Sequence, residues 1–337
     1  MEAHVASNVA VAVLLAAGAL TLLRVRRSRH WRERLAEVAR RRPVALVVVA
    51  LYVAVALLDS VSWRDPIAPG TVATPRSLID RAFPADFAER SYSAPLATVE
   101  LEGDAPLAHP GRHLLGTDIL GRDVLHLALG GARVALLIGG LTSLIAIPLA
   151  LLFGVAGGYF GGRVDVAVMT LLSTLASIPS LLLLVALVMV LGRGPVQVCA
   201  ALAVTSWVGF CRVVRGETLK LRELDYVHAA RALGVSDARI LARHVVPNLA
   251  YLVVITFALS FSQLVLSEAI LSWLGVGIDG SWGQMIDQAR DELARDPVIA
   301  WNLGAASAAL FGLILAVNLV GDAVRDVLDP RTLREDA

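Results

Sequence analysis

The sequence predicts an all-α membrane protein: a polytopic bundle of transmembrane helices with an external loop region between its second and third spans. Three observations carry that reading. The 337 residues are 57% hydrophobic, and the mean hydropathy is +0.69, well above an ordinary globular domain. Seven apolar runs approach or exceed the roughly 20 residues that a helix needs to cross a bilayer. They lie at about 5–23, 43–60, 133–157, 165–191, 196–214, 249–274 and 301–321. Nine arginines fall between Arg24 and Arg42, directly between the first two runs. The runs are apolar on every side, unlike the one-sided helices of a soluble bundle.

The arginines also set an expected topology, because positive residues mark the cytoplasmic side. The N-terminus falls outside, 24–42 inside and 61–130 outside. Continuing the count, 158–164 and 215–248 are inside, 192–195 and 275–300 are outside, and the C-terminus is inside. Arg163, Arg212, Arg215, Lys220, Arg222, Arg325, Arg331 and Arg334 all land inside, and Arg193 is the exception. The formal net charge of +1 gives no basis for nucleic-acid binding. The run at 5–23 has no basic region before it, so it reads as an uncleaved anchor rather than a signal peptide. The expected organisation is an anchor at 1–23, a basic cytoplasmic linker at 24–42 and a first core span at 43–60. A cap follows at 61–130, then the transmembrane core at 131–325, which carries the cytoplasmic loop 215–248, and a tail at 326–337.

Each segment has its own signals. Residues 62–110 hold seven of the fourteen prolines, which predicts a compact cap of short turns with a strand near Ala97–Glu102. Residues 113–130 are expected to form an interfacial helix capped by Thr117 or Asp118. On it, Asp118 and Arg122 would pair four residues apart. Leu115, Ile119, Leu125 and Leu129 would face lipid or neighbouring helices. Asp118, Arg122 and Asp123 are therefore candidates for an outer elbow that sets the entry angle of the next span, or for a gate contact. Pro148 and Pro179 fall inside predicted spans, where each removes a backbone bond and bends its helix. Glycines 139, 140, 154, 157 and 158, and the small residues 305–308, allow close helix approach in lipid. Cys199 and Cys211 are twelve residues apart on one helix, about 18 Å, too far to bridge.

Catalytic chemistry is hard to write with this chain. Lys220 is its only lysine and is followed by Leu221, so a G-x-x-x-x-G-K-[ST] phosphate loop cannot be formed. Neither HExxH, nor a paired-cysteine metal signature, nor a GxSxG elbow is present. Glu268 is the acidic residue deepest in an apolar run. An intramembrane charge is costly, so it should face the bundle interior, a partner or water. With Gln263, Ser260 and Ser267 as polar neighbours, Glu268 is a candidate pathway or subunit-contact residue. Trp273 and Trp282 read as interface anchors.

The most informative stretch is YVHAARALGVSDARILARHVVPN, residues 226–248. Gly234 sits where a helix ends in a left-handed residue. Ser236 can cap a second helix, and Asp237 lies in its first turn, where the dipole favours an anion. Pro247 is expected to stop that helix. The result is a short polar elbow between long apolar segments.

This stretch resembles the cytoplasmic coupling loop of ABC-transporter permeases, through Ala229, Ala230, Gly234, Pro247 and Asn248. His228 stands where that family usually has Glu. The resemblance continues in HLLGTDILGRDVL (113–125), GARVALLIG (131–139), GGYFGGRVD (157–165), SEAILSWLGVGI (267–278), SWGQMI (281–286) and GDAVRDVLDPR (321–331). Together these look like the C-type permease of the dipeptide/oligopeptide/nickel importer family, over roughly residues 40–331. The resemblance implies a six-helix type I importer core, to which the run at 5–23 adds a helix. It implies a second homologous permease, two ATP-binding subunits, an extracytoplasmic substrate-binding protein and a lipid environment in the cytoplasmic membrane. ATP and Mg would be bound by the ATP-binding subunits, with no cofactor on this chain. The elbow would dock on an ATP-binding subunit through His228, Ala229, Ala230, Arg231, Gly234, Asp237, Arg239, Arg243, Pro247 and Asn248. Peptides are the cargo that the resemblance implies first, with nickel chelates or other small solutes as the alternative. An ion-coupled secondary transporter is the rival class, and it would need a relay for which Glu268 is the candidate.

Overall fold

A computed structural model describes residues 29–63, 76–84, 87–101 and 105–328, with the isolated positions 9 and 12. The expected anchor at 5–23 lies outside the described residues, apart from Val9 and Ala12, and so does the tail after Leu328.

Amphipathic helix α1 (Arg29–Arg41) is followed by α2 (Pro43–Ser60), which carries proline at its first position, where the missing N–H costs nothing. Val38 of α1 is buried against Ala323 and Val327 of the last helix. A two-stranded antiparallel ribbon follows, with β1 (Ser62–Trp63) pairing β2 (Arg76–Ser77). Helix α3 (Leu78–Ala82) is closed by a capping box between Ser77 and Asp80. The long helix α4 (Val124–Phe160) runs through Pro148 for 37 residues, about 55 Å. Beyond it come α5 (Gly162–Ala176), α6 (Ser180–Leu191) and α7 (Pro195–Arg222).

The chain then forms α8 (Asp225–Ala232), the single turn α9 (Asp237–Ile240) and α10 (Ala250–Trp273). Helices α11 (Trp282–Glu292) and α12 (Trp301–Leu328) complete it. Among the described residues, five helical stretches are long and apolar enough to cross a membrane, or six if α5 and α6 count as one broken span. These coincide with the last six expected runs. The run at 165–191 is not one straight helix: α5 and α6 meet at 87°. Pro179, with ψ 123°, stands between them, where it can neither donate a helical hydrogen bond nor sit inside a helix without a clash.

Helices α4 and α7 form the central pair. A β-carbon at Gly154 would lie 2.8 Å from the Cys211 carbonyl, and one at Gly158 2.8 Å from that of Arg215. Only glycine lets the two backbones come this close. Cys199 and Cys211 are free and buried in this region.

The cap corrects three expectations. No strand forms near Ala97–Glu102, where an isolated bridge joins Val99 to Pro106 among the described residues. The segment 113–123 is a set of turns rather than the start of an interfacial helix, and the helix begins only at Val124. Its cap is Asp123, which accepts from the N–H groups of Leu125 at 2.8 Å and His126 at 3.3 Å. Gly116 and Gly121, both at positive φ, break the helical path upstream of that cap. Trp282 is no interface anchor, being 2% exposed with its indole N–H donated to the Ala128 carbonyl at 2.8 Å. Trp273 is exposed.

Candidate functional site: the elbow between α7 and α10

The elbow sits at the far end of α4 from the cap. His126, on the first turn of α4, contacts Asp80 of the cap at 2.9 Å, while Tyr159, on its last turn, contacts the elbow. Two apolar side chains hold the elbow to the bundle. Val227 of α8 and Ile240 of α9 are fully buried, together with Val245 and Leu249, in a cluster with Tyr159, Trp207, Phe210 and Val214.

Polar contacts add direction. The Tyr159 hydroxyl donates to Asp237 Oδ1 at 2.6 Å, and the Arg231 guanidinium lies 5.3 Å from the Tyr159 ring centre. Beneath them, Arg215 and Asp165 pair through two bonds of 2.5 and 2.6 Å, tying α7 to α5. Arg222 Nη1 donates to the Gly158 carbonyl at 3.0 Å.

The turn itself is a Schellman motif. Gly234 has φ +77°, its N–H donates to the Arg231 carbonyl at 3.0 Å, and the Val235 N–H donates to Ala230 at 3.1 Å. Ser236 occupies the expected cap position of α9, but its hydroxyl makes no cap bond. The helix does not stop at Pro247. A wide π turn at Leu241–Val245 and a 3₁₀ turn at Val246–Leu249 carry the path into α10. These looser turns absorb the missing proline N–H. Asn248 Nδ2 donates to the His244 carbonyl at 2.5 Å and to the Tyr226 hydroxyl at 3.3 Å, closing the second arm on the first.

What remains outward is a mixed face, on which Tyr226, Leu233 and Val246 are exposed beside the polar residues. His228, Ala229, Arg231, Gly234, Asp237, Arg239, Arg243, Pro247 and Asn248 are exposed, and Ala230 is half-buried. Arg239 and Arg243 have no carboxylate partner among the described residues. His228 Nε2 lies 3.6 Å from Glu223, whose carboxyl is held below its ordinary range by the Arg222 guanidinium. The anchors Val227, Ile240 and Tyr159 were missed in the sequence. Val227 had a readable signal, as the β-branched residue of an otherwise alanine-rich and polar arm, whereas Ile240 is one of several aliphatics on its arm and Tyr159 lies far away in sequence.

The other candidates separate. Glu268 is 3% exposed and accepts from the Ser272 hydroxyl at 2.5 Å; that hydroxyl also meets Ser281 at 2.9 Å. Its expected neighbours Gln263 and Ser267 bond to each other, through the Ser267 hydroxyl and the Gln263 carbonyl at 2.8 Å. Gln263 is exposed on another face, so the structure does not assemble the three into one site. Asp118 and Arg122 do pair, at 2.6 Å, but inside a turn, with Asp118 fully buried and also accepting from the N–H groups of Leu120 and Arg122.

The structure is thus a multi-span helical bundle with an anchored elbow at one end and a folded cap at the other. Residues 146–334 match the family described as "binding-protein-dependent transport system inner membrane component". The chain belongs to that family. It is therefore a multi-pass inner-membrane permease component rather than an enzyme, and membership implies ATPase and substrate-binding partners. It is 36% identical over 222 residues to the glutathione transport system permease protein GsiD of Pectobacterium atrosepticum, covering 65% of this chain and 73% of that protein. It is 34% identical to the oligopeptide transport system permease protein OppC of Bacillus subtilis, covering 65% and 72%. The dipeptide transport system permease protein DppC of the same organism is also 34% identical, covering 66% and 70%. The inward-facing MetNI methionine ABC transporter aligns in structure with a TM-score of 0.45 at 22% identity, over 59% of this chain and 93% of that one.

Proposed function

We propose that this chain is one of two permease subunits of an ATP-driven importer of di- and oligopeptides, and that residues 226–248 dock on an ATP-binding subunit. The observation that carries the docking reading is the construction of the elbow. It is locked to the bundle by Val227, Ile240 and the Tyr159–Asp237 bond, yet it presents the uncommitted Arg239 and Arg243 outward. An anchored surface that presents two unpaired guanidiniums suits a partner with acidic groups. The peptide cargo is supported by relatives whose names specify oligopeptide, dipeptide and glutathione transport.

In this reading the full complex has two permeases, two ATP-binding subunits and one delivering protein. The elbow faces the cytoplasm and the 61–130 cap faces outward, with the N-terminus outside and the C-terminus inside. His228 replaces a carboxylate at the docking face and contributes a contact of different charge. The test is reconstitution of the four-subunit core with its binding protein, scoring peptide uptake and retention of the ATP-binding subunit. Uptake of peptide with the ATP-binding subunits inactivated would refute the reading.

A further inference from the structure

A cavity of about 320 Å³ opens in the cap, within the usual range of about 300–1,000 Å³ for small-ligand pockets. It is lined by Phe83 and Phe87 together with Arg76, Arg112, Asp80 and Asp123. Both carboxylates are already committed. Asp80 accepts from the Ser77 N–H at 2.7 Å and meets His126 Nε2 at 2.9 Å, and these bonds, the histidine first, draw its carboxyl down to about 2. Asp123 caps α4 and meets His113 Nδ1 at 2.9 Å. Arg122, also in the lining, is held by the buried Asp118.

Two cations remain. Arg76 and Arg112 have no carboxylate partner among the described residues. The Arg112 guanidinium carbon lies 3.4 Å from the centre of the Phe87 ring, so it is held by stacking while its N–H groups stay free. A positioned guanidinium is built for bidentate recognition of a carboxylate. The aromatic walls beside it suit an apolar side chain, and no uncommitted acid lines the cavity to receive an ammonium. A second cavity of about 360 Å³ shares Asp80 and His126 and is also lined by Asp59, near the end of α2, and Arg133, on the third turn of α4.

We propose that the cap cavity binds a carboxylate flanked by an apolar side chain, through Arg112 and Arg76 with Phe83 and Phe87. Under the function proposed above, on which this source rests, that group is the C-terminal residue of a peptide cargo entering the mouth of the bundle. An acidic residue of the delivering protein carries the same chemistry.

The test uses the assembled complex in nanodiscs, without nucleotide. Saturation-transfer NMR compares N-acetylphenylalanine with its carboxamide, probes that report on the site whatever the cargo proves to be. The acid should bind at least tenfold more tightly than the amide. Arg112→Gln and Arg76→Gln should each abolish most of that preference, while Arg193→Gln leaves it intact. Arg112→Lys, which keeps the charge but loses the fork, should fall between.

A parallel arm measures co-sedimentation of the binding protein. Docking that is unchanged in the arginine variants assigns the site to cargo, and docking weakened tenfold or more assigns it to that protein. Equal binding of acid and amide, with docking unchanged in every variant, overturns the proposal. Peptide uptake by the same complex reconstituted in sealed liposomes with ATP separates this failure from a failure of the cargo assignment.

Discussion

Replacing Gly234 isolates the contribution of the elbow's turn. The residue stands at φ +77°, and a β-carbon added there meets nothing within 4 Å. Substitution therefore causes no clash, and its cost is conformational alone. Holding an L-residue in the left-handed region costs about 1–2 kcal/mol, less for Asn and more for a β-branched side chain. A cost of about 1–2 kcal/mol lowers the population of the formed turn by a factor of about 5–30.

The expected order of damage is Asn, then Ala, then Val. Hydrogen exchange at the Val235 amide, which donates to Ala230 at 3.1 Å, should report the loss directly. Uptake and retention of the ATP-binding subunit, each normalised to permease level, should fall in the same order. Membrane insertion should be unchanged, because the turn lies outside the spans. If Gly234→Val exchanges faster at Val235 but keeps normal uptake and retention, residues 226–248 are an amphipathic linker on the membrane surface and not the docking element.

Four further outcomes are expected. Tyr159→Phe removes a 2.6 Å bond to the exposed Asp237, and should cost the elbow about 1 kcal/mol and raise exchange across α8 and α9, read by mass spectrometry. Ala230→Arg places a charge on the half-buried arm packed against the Tyr159 cluster, and should reduce pull-down of the ATP-binding subunit at equal permease level. Cysteine labelling at positions 3 and 335 should modify only the first from outside intact cells, and external labelling at 335 would sink the topology; Cys199 and Cys211 are buried and should stay silent. Glu292 is 1% exposed, and burial raises its carboxyl above the ordinary range. The fold thus favours the protonated form, and stability is lost as pH rises through the folded-state value. Glu292→Gln should raise the melting temperature at pH 7.5 and leave it unchanged near pH 4.

The spans were legible in the sequence because burial in lipid demands long apolar runs, and such runs need no tertiary information to be seen. The Gly234 turn was equally legible, since a left-handed residue after a run of helix formers has few other uses. The failures share a cause. Pro247 was expected to end a helix and instead passes through π and 3₁₀ turns, because the burial of Val245 and Leu249 on either side outweighs one missing hydrogen bond. The 113–123 segment has helix-compatible spacing, yet Thr117 is drawn away to the Ser91 carbonyl and the Ser93 N–H, and its own carbonyl takes the Trp301 indole. Those partners lie 24 or more positions away, beyond the reach of any local pattern.

The geometry of the elbow also constrains how it can work. Its first arm joins α7 through a short break at Glu223–Leu224, and its second passes without a non-helical gap into α10. Tyr159 fixes both arms to α4, through the ring beside Arg231 and the hydroxyl on Asp237. A partner that displaces the elbow must therefore move the inner ends of α4, α7 and α10 together, or first break a fully buried apolar cluster. Moving packed helices as a body keeps those contacts and costs less. The π turn at Leu241–Val245 follows the Ile240 anchor directly, and there the regular α-helical bonding is already interrupted. Straightening it with Pro247→Ala would restore a helical N–H donor at position 247. That change should stiffen the junction and slow the ATP-linked step of uptake. Equal transport rates in the variant and the parent would show that the junction does not bend during the cycle.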